Sequence, residues 1–439
     1  MLPENDIGFK IVLIMDIRIN PARSEWPELC RRPADVNPAV RGRVEAIIAR
    51  VREGGDEALR ALASEIDGYA PERFELSADE IREASELVPA AVKEAIADAA
   101  ANIRSFHEAQ MPKQVEVETA PGVRCIQKPV PIRSVGLYIP GGTAPLFSTV
   151  LMLAVPAQIA GCREVVLCTP ADKDGRVAPA VLYAAAFCGV QRIFRIGGAQ
   201  AIAAMAYGTE SVPKVDKIFG PGNQYVTTAK QMLGGSVVAI DMPAGPSEVM
   251  VIVDDSSDPA FAAADLLSQA EHGRDSQVML VCPSETMAKA VAAEVDRQVK
   301  DLGRADLALG ALAKSHAVVL GNLEDVVAFA DAYAPEHLII STKDPWAIAD
   351  RVTAAGSVFV GAYTPESAGD YASGTNHTLP TSGWARSHSG VNIDSYIRKM
   401  TLQEISRDGL RSLAPTIVAM AEAEGLQAHA AAASIRIER

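Results

Sequence analysis

The chain has 439 residues, of which 49% are hydrophobic and 22% charged, an apolar content that supports two or three domains with real cores. Its formal net charge of −14 argues against sequence-independent binding to nucleic acid, which needs a basic face to neutralise phosphates. The six cysteines (Cys30, Cys125, Cys162, Cys168, Cys188, Cys282) include no C-x-x-C pair. They read as reduced, small apolar side chains, and the default compartment is the cytoplasm.

In chain order, the apolar run at 11–14 is far shorter than the ~20 residues that cross a bilayer. It has neither a long apolar region nor an A-x-A cleavage site, so residues 1–23 read as an N-terminal extension rather than a signal peptide. Met15 offers a possible second start. Residues 37–110 read as helical: Val44, Ile47, Ile48 and Val51 fall on one helix face, and Ser77-Ala-Asp-Glu80 is a capping-box signal. From there short β-branched runs (134–139, 164–168, 192–196) alternate with alanine-rich segments (148–160, 179–187, 199–207). That rhythm predicts βαβ units and a mostly parallel sheet. It resumes with strands at 237–240, 248–253, 277–281 and 357–360 and helices at 259–271 and 323–333. Residues 405–432 read as a helical tail. The fold class is therefore α/β: two Rossmann-like domains, a helical N-terminal region and a C-terminal helical tail.

Glycine-rich turns follow several of these strands: Pro140-Gly-Gly142, Gly197-Gly198, Gly220-Pro-Gly-Asn223 and Pro243-Ala-Gly-Pro-Ser247. Ligands of open parallel sheets bind past the carboxyl ends of strands, which makes these turns plausible walls of a site. A G-x-G-x-x-G fingerprint is absent, because the sixth position after Gly220 is Tyr225. The turns alone support only tight connections between elements.

Four of the seven histidines lie in four short segments: Ser268-Gln-Ala-Glu-His-Gly273, Pro335-Glu-His-Leu338, Gly369-Asp-Tyr-Ala-Ser-Gly-Thr-Asn-His377 and Glu424-Gly-Leu-Gln-Ala-His429. Imidazoles, carboxylates and an amide gathered this way can build a divalent-metal site beside a general acid/base. If the 259–271 helix runs on to Gly273, Gln269 and His272 share a face, and Asp370 would partly offset the ion. The alternative for that pair is a capped helix end with an exposed Gln and His. Glu336 and His337, adjacent on a helix, would point about 100° apart and divide labour rather than grip one ligand. Asp370 and His377 read as loop residues. Glu424 and His429, five apart, require the helix to end between them, or the tail to wrap a cleft or complete a partner subunit. His107, His316 and His388 read as surface or packing residues.

With those residues set out, the chain resembles the histidinol dehydrogenase family from about Val44 to Arg436. The likeness includes Val135-Gly-Leu-Tyr-Ile-Pro-Gly-Gly142, Gly197-Gly-Ala-Gln200, Ile218-Phe-Gly-Pro-Gly-Asn223, Asp241-Met-Pro-Ala-Gly-Pro-Ser-Glu248 and the four histidine segments. The resemblance implies one zinc ion per subunit, held by Gln269, His272, Asp370 and His429, the last donated across a homodimer with shared sites. It implies His337 as the base for the alcohol and Glu336 as the residue that activates water on the aldehyde. It implies substrate contacts from Ser247, His377 and Glu424, beside the zinc ligands and His337, and NAD contacts from Tyr138, Gln200 and Asn223. The implied reaction takes L-histidinol through L-histidinal to L-histidine with two NAD, the last step of histidine biosynthesis. It also implies a discontinuous metal and catalytic domain (24–137 and 248–391), an NAD-side domain (138–247) and a tail (392–439) that reaches the partner. Cys125 and Cys162 are kept structural, and Asp172–Arg176 looks like a loop insertion. The rivals are a paralogous zinc and NAD dehydrogenase acting on another small hydroxylated molecule, a zinc hydrolase that turns over without NAD, and a non-catalytic zinc protein.

Overall fold

A computed structural model of the chain describes residues 15–32, 38–141 and 145–438. The apolar run at 11–14 and Gly142 of the Val135–Gly142 motif lie outside the described residues.

Two parallel sheets carry the architecture, and they share one winding order. In the five-stranded sheet the strands stand as Arg192–Arg195, Glu164–Thr169, Ser134–Tyr138, Lys217–Phe219, Ala239–Ile240. In the six-stranded sheet the order is Asp16–Ile19, His316–Val319, Gln277–Cys282, Glu248–Val253, His337–Ser341, Ser357–Val360. All pairings in both are parallel. Leaving out the edge strand Asp16–Ile19, each sheet starts in the middle, winds to one side and then reverses to the other. The reversal lies between Ser134–Tyr138 and Lys217–Phe219 in one, and between Glu248–Val253 and His337–Ser341 in the other. Such reversals open the crevice that doubly wound folds use for ligands.

The strands read as continuous apolar runs because both faces are covered. Every residue of Glu248–Val253, Gln277–Cys282 and His337–Ser341 is buried. One face of the six-stranded sheet packs against Ala263, Leu266 and Leu267 of the helix Pro259–Ala270. The other packs against Trp26, Phe329 and Tyr333. The helices Pro38–Ile66 and Ala90–Glu108, which fall in the first expected domain, pack on the five-stranded sheet: Val44, Val51 and Leu62 meet Ile202 and Met205, and Ile96 and Ile103 meet Val150 and Leu153. The strand Ser134–Tyr138 runs across the expected 137/138 boundary. Ser77 caps the helix Ala78–Glu86 by accepting from the Glu80 amide, while Glu80 accepts from the Ser77 amide, the expected box.

A third, three-stranded sheet is antiparallel: Val115–Ala120, Val123–Pro131 and Ile397–Ile405. The tail thus opens with a nine-residue strand before its helices Arg407–Ala423 and Gln427–Glu438. Among the described residues, no helix is long and apolar enough to cross a membrane.

Candidate active site

Glu336 and His337 stand at the entry of the strand His337–Ser341, at the amino edge of the six-stranded sheet. The helical geometry expected for the pair does not hold. A parallel sheet needs this segment as its fourth wound strand, and the apolar run Leu338-Ile-Ile340 supplies it. Glu336 Oε2 accepts from the Glu248 amide at 2.9 Å and lies 3.6 Å from His337 Nδ1. Gln269 enters from the last turn of the helix Pro259–Ala270, whose end falls at the same edge because the helix runs back along the strands. Its Nε2 lies 3.1 Å from the Glu248 carbonyl oxygen, 3.2 Å from His337 Nδ1 and 3.4 Å from Glu336 Oε2. Its Oε1 is buried with no hydrogen-bond partner.

The short helix Glu366–Tyr371 supplies the opposite wall, so Asp370 is a helical residue rather than a loop one. Glu366 and Asp370 are four apart and share a face. Glu366 Oε1 lies 3.7 Å from His337 Nδ1, and Asp370 Oδ1 lies 3.6 Å from His337 Nε2. The helix is seated by Gly369, where a Cβ would come within 2.6 Å of the Phe359 ring. His377 is placed by two bonds: Nδ1 to the Asp370 carbonyl oxygen at 2.9 Å and Nε2 to Thr149 Oγ1 at 3.2 Å. Thr149 belongs to the helix Phe147–Ala160, which leaves the carboxyl end of the strand Ser134–Tyr138. The site therefore lies between the amino edge of one sheet and the carboxyl end of the other.

Three carboxylates surround one buried imidazole here. Burial pushes the Glu336 carboxyl up to about 8, with His337 pulling the other way. Burial also holds Glu366 well above the usual carboxylate range. Burial alone would depress His337, but Glu366, Glu336 and Asp370 outweigh it and carry the imidazole up to about 10. Burial would raise Asp370, but the nearby His337, His377 and His272 imidazoles hold it below its ordinary value. His377 is lowered by burial.

The residues expected to contact NAD gather at the carboxyl ends of the five-stranded sheet. The Tyr138 hydroxyl accepts from the Gly198 amide at 3.0 Å. Gln200 Nε2 points to Asp67 Oδ2 at 3.5 Å, and Asn223 caps the helix Gln224–Leu233 by accepting from the Tyr225 and Val226 amides. Tyr138 and the Gly220–Asn223 turn flank the reversal of this sheet, where a dinucleotide crevice is expected.

This geometry has counterparts among known proteins. The histidinol dehydrogenase family model matches residues 30–437. The histidinol dehydrogenase of Bacteroides fragilis is 55% identical over 95% of this chain and 98% of its own length. That of Aliivibrio fischeri is 52% identical over 95% of this chain and 94% of its own length. The crystal structure of histidinol dehydrogenase from Elizabethkingia anophelis superposes with a TM-score of 0.94 at 48% identity, covering 97% of this chain and 98% of that one. The chain belongs to the histidinol dehydrogenase family. As a member it is a dehydrogenase, which removes the hydrolase and the non-catalytic zinc protein from the list of rivals.

The metal, catalytic and substrate residues this family resemblance singles out do not all meet. Gln269, Glu336, His337, Asp370 and His377 converge in the buried cluster. Gln269 and His272 do not share a helix face, because the helix ends at Ala270 and the chain turns, the His272 amide bonding the Gln269 carbonyl oxygen at 3.2 Å. His272 is exposed at the lip, where desolvation by the surrounding cleft keeps its imidazole below the ordinary value. Ser247 is half-buried, its carbonyl oxygen accepting from the Gln277 amide. Glu424 and His429 are exposed on the tail and enter none of the cluster's bonds. The tail helix ends at Glu424 and restarts at Gln427, with Gly425 at φ +75° between, the break that their spacing demanded.

The donor set suits a cation. Gln269 Oε1, His337 Nε2 and Glu366 Oε1 are buried without hydrogen-bond partners, which leaves three lone-pair-bearing atoms for an ion to satisfy. One ligand atom each from His337, Glu366 and Asp370 lie within 4.8 Å of one another, a trio that shares only Asp370 with the expected set. Glu366 is the residue the sequence reading passed over. Its signal was the four-residue spacing to Asp370 after a helix-starting Pro365, and nothing in that spacing announced its burial.

Proposed function

We propose that the chain is a zinc-dependent histidinol dehydrogenase that oxidises L-histidinol through L-histidinal to L-histidine with two NAD. The observation that carries this reading is the buried pairing of Glu336 with His337 beside the cation-seeking donors, in a chain of this family. Gln269, His272 and Asp370 would hold zinc together with His429 of the partner subunit. Bound there, zinc would supply a positioning charge for the nitrogen-bearing substrate, and NAD would supply the oxidant for both steps.

In the first oxidation His337 takes the proton of the alcohol. The three carboxylates raise its affinity for protons so far that it would already hold one, and a bound cation would bring it back toward the neutral form that accepts. In the second, Glu336 takes a proton from the water that adds to the aldehyde. His377, oriented by Thr149 and the Asp370 carbonyl, and Ser247 and Glu424 would contact the amino alcohol or its ring. Tyr138, Gln200 and Asn223 would line the NAD side, within a unit spanning 138–247. We further infer a homodimer in which the tail 392–439 completes the partner's site, because Glu424 and His429 are exposed and enter none of the cluster's bonds within their own subunit. The six cysteines are unpaired, which suits the reducing cytoplasm we assign to the enzyme.

The test is NADH formed per L-histidinol consumed by zinc-loaded protein. Two NADH per substrate, lost on chelation and restored by zinc, is the expected result. No NADH from folded, metal-loaded protein would move the substrate assignment to another small hydroxylated molecule.

A further inference from the structure

The Asp241–Glu248 segment carries one of the longer sequence motifs, yet the reaction above uses only Ser247 from it. Asp241 leaves the strand Ala239–Ile240, and Gly220 leaves its parallel neighbour Lys217–Phe219. Asp241 Oδ2 accepts from the Gly220 amide at 2.8 Å. Its Oδ1 accepts from the Met242 amide at 2.7 Å and pairs with Lys230 Nζ at 2.5 Å. Lys230, on the helix that Asn223 caps, donates back to the Gly220 carbonyl oxygen at 2.7 Å. Gly220 is thus held by both of its peptide groups. It has φ +122°, and a Cβ there would lie 2.1 Å from the Tyr138 carbonyl oxygen, so the turn is pressed against the other flank of the crevice. Thr227, one turn into the same helix, points its hydroxyl at both Ala244 O (2.5 Å) and Gly222 O (3.3 Å).

The side chains of Lys230 and Asp241 are 3% and 0% exposed. A fully buried ion pair gives little net stability compared with an apolar pair of the same volume, so stability alone does not explain it. Two of its bonds hold Gly220, in the turn that precedes Asn223 at a helix N-terminus beside the sheet's reversal, where backbone amides receive a dinucleotide's phosphates.

We propose that Lys230 and Asp241 are positioning residues for the nucleotide: the pair presets the Gly220–Asn223 turn, and Thr227 ties that turn to the segment bearing Ser247. The inference rests on the reading of Tyr138, Gln200 and Asn223 as the NAD side. Its test is direct binding of NADH, followed by fluorescence on zinc-loaded protein, beside calorimetric binding of L-histidinol to the same variants. Asp241→Asn keeps the volume and the Met242 contact but removes the charge. It should weaken NADH binding about ten-fold and leave L-histidinol binding within about two-fold. Thr227→Val removes no charge, and should weaken NADH binding about three-fold even if D241N fails to fold. NADH affinity unchanged in both variants, or an equal loss for both ligands, overturns the proposal. Asn223→Ala separates it from its premise. NADH affinity unmoved in N223A overturns the nucleotide reading itself, whereas affinity lost in N223A and kept in D241N and T227V overturns this inference alone.

Discussion

Glu336 Oε2 and His337 Nδ1 lie 3.6 Å apart although the two residues are consecutive. Neighbours within a strand point to opposite faces. Glu336 escapes that rule because it sits just before the strand, turned inward by the Glu248 amide that its carboxylate accepts.

That bond makes Glu336→Gln a clean substitution, because an amide oxygen accepts from Glu248 as well as a carboxylate does. The variant should oxidise L-histidinol to the aldehyde within about two-fold of the parent rate. The aldehyde step should fall by roughly 10²–10⁴, the usual contribution of a general base. Stopped-flow NADH traces with L-histidinol and with L-histidinal as separate substrates measure both. An equal fall in the two steps would refute the division of labour.

The metal's seat is decided by zinc content after exhaustive dialysis. His272→Ala and Gln269→Ala should each lower zinc affinity by more than about 100-fold, the upper end for residues that merely support ligands. Glu366→Gln should keep the metal at stoichiometry. If it instead loses zinc as readily as His272→Ala, the ion sits on the buried His337, Glu366 and Asp370 trio.

Complementation tests whether sites are shared between subunits. His429→Ala and His337→Asn should each be nearly inactive alone. Mixed after unfolding and refolding, they give heterodimers with one intact site, or about a quarter of parental activity for random pairing. Heterodimers verified by mass that recover nothing would rule out a tail working across the dimer.

Asp265 gives a pH signature outside the donor set. Burial pushes its carboxyl from 3.8 up to about 7, against a bond from the Glu366 amide. A folded-state value above the unfolded one means a stability contribution that is full below pH 3.8 and lost as the pH rises through 7. Asp265→Asn removes that loss, and an amide oxygen keeps the Glu366 bond. The variant should therefore melt a few degrees higher at pH 8, from at most about 4 kcal/mol, with the gain shrinking toward pH 5. A gain that is the same at both pH values would show that the carboxyl is not the cause.

Much of this fold was legible because the inner strands are unbroken apolar runs bounded by turns. Glu248–Val253, Ser357–Val360, Pro179–Phe187 and Leu323–Tyr333 fall where the pattern predicts them, to the residue. The pattern fails where length or exposure removes the signal. Lys217–Phe219 is three residues long, and Asp16–Ile19 is an edge strand with little burial. The antiparallel sheet did leave a trace: Val115 and Val117 alternate with glutamates, and Pro121-Gly122 marks the turn to the next strand. Within the site, motif residues could be listed but not their depth. Burial separates Gln269 from His272, three residues on, and burial is what recruits Glu366. Neither follows from spacing: the first depends on where the helix Pro259–Ala270 ends, the second on how Glu366–Tyr371 seats against Phe359.

The three-stranded sheet has one more consequence. Every residue of Ile397–Ile405 after the first is exposed, and Met400, Leu402 and Ile405 join Val115 and Val117 in presenting apolar surface. The tail that follows exposes Met420, Leu426 and Ile435. A lone chain would hold all of this against water, at a standing cost that grows with the apolar area. If a second copy covers it, folding and pairing become a single event, and the melting temperature climbs with protein concentration. Such an enzyme loses activity on dilution by coming apart well before any of its strands unravel.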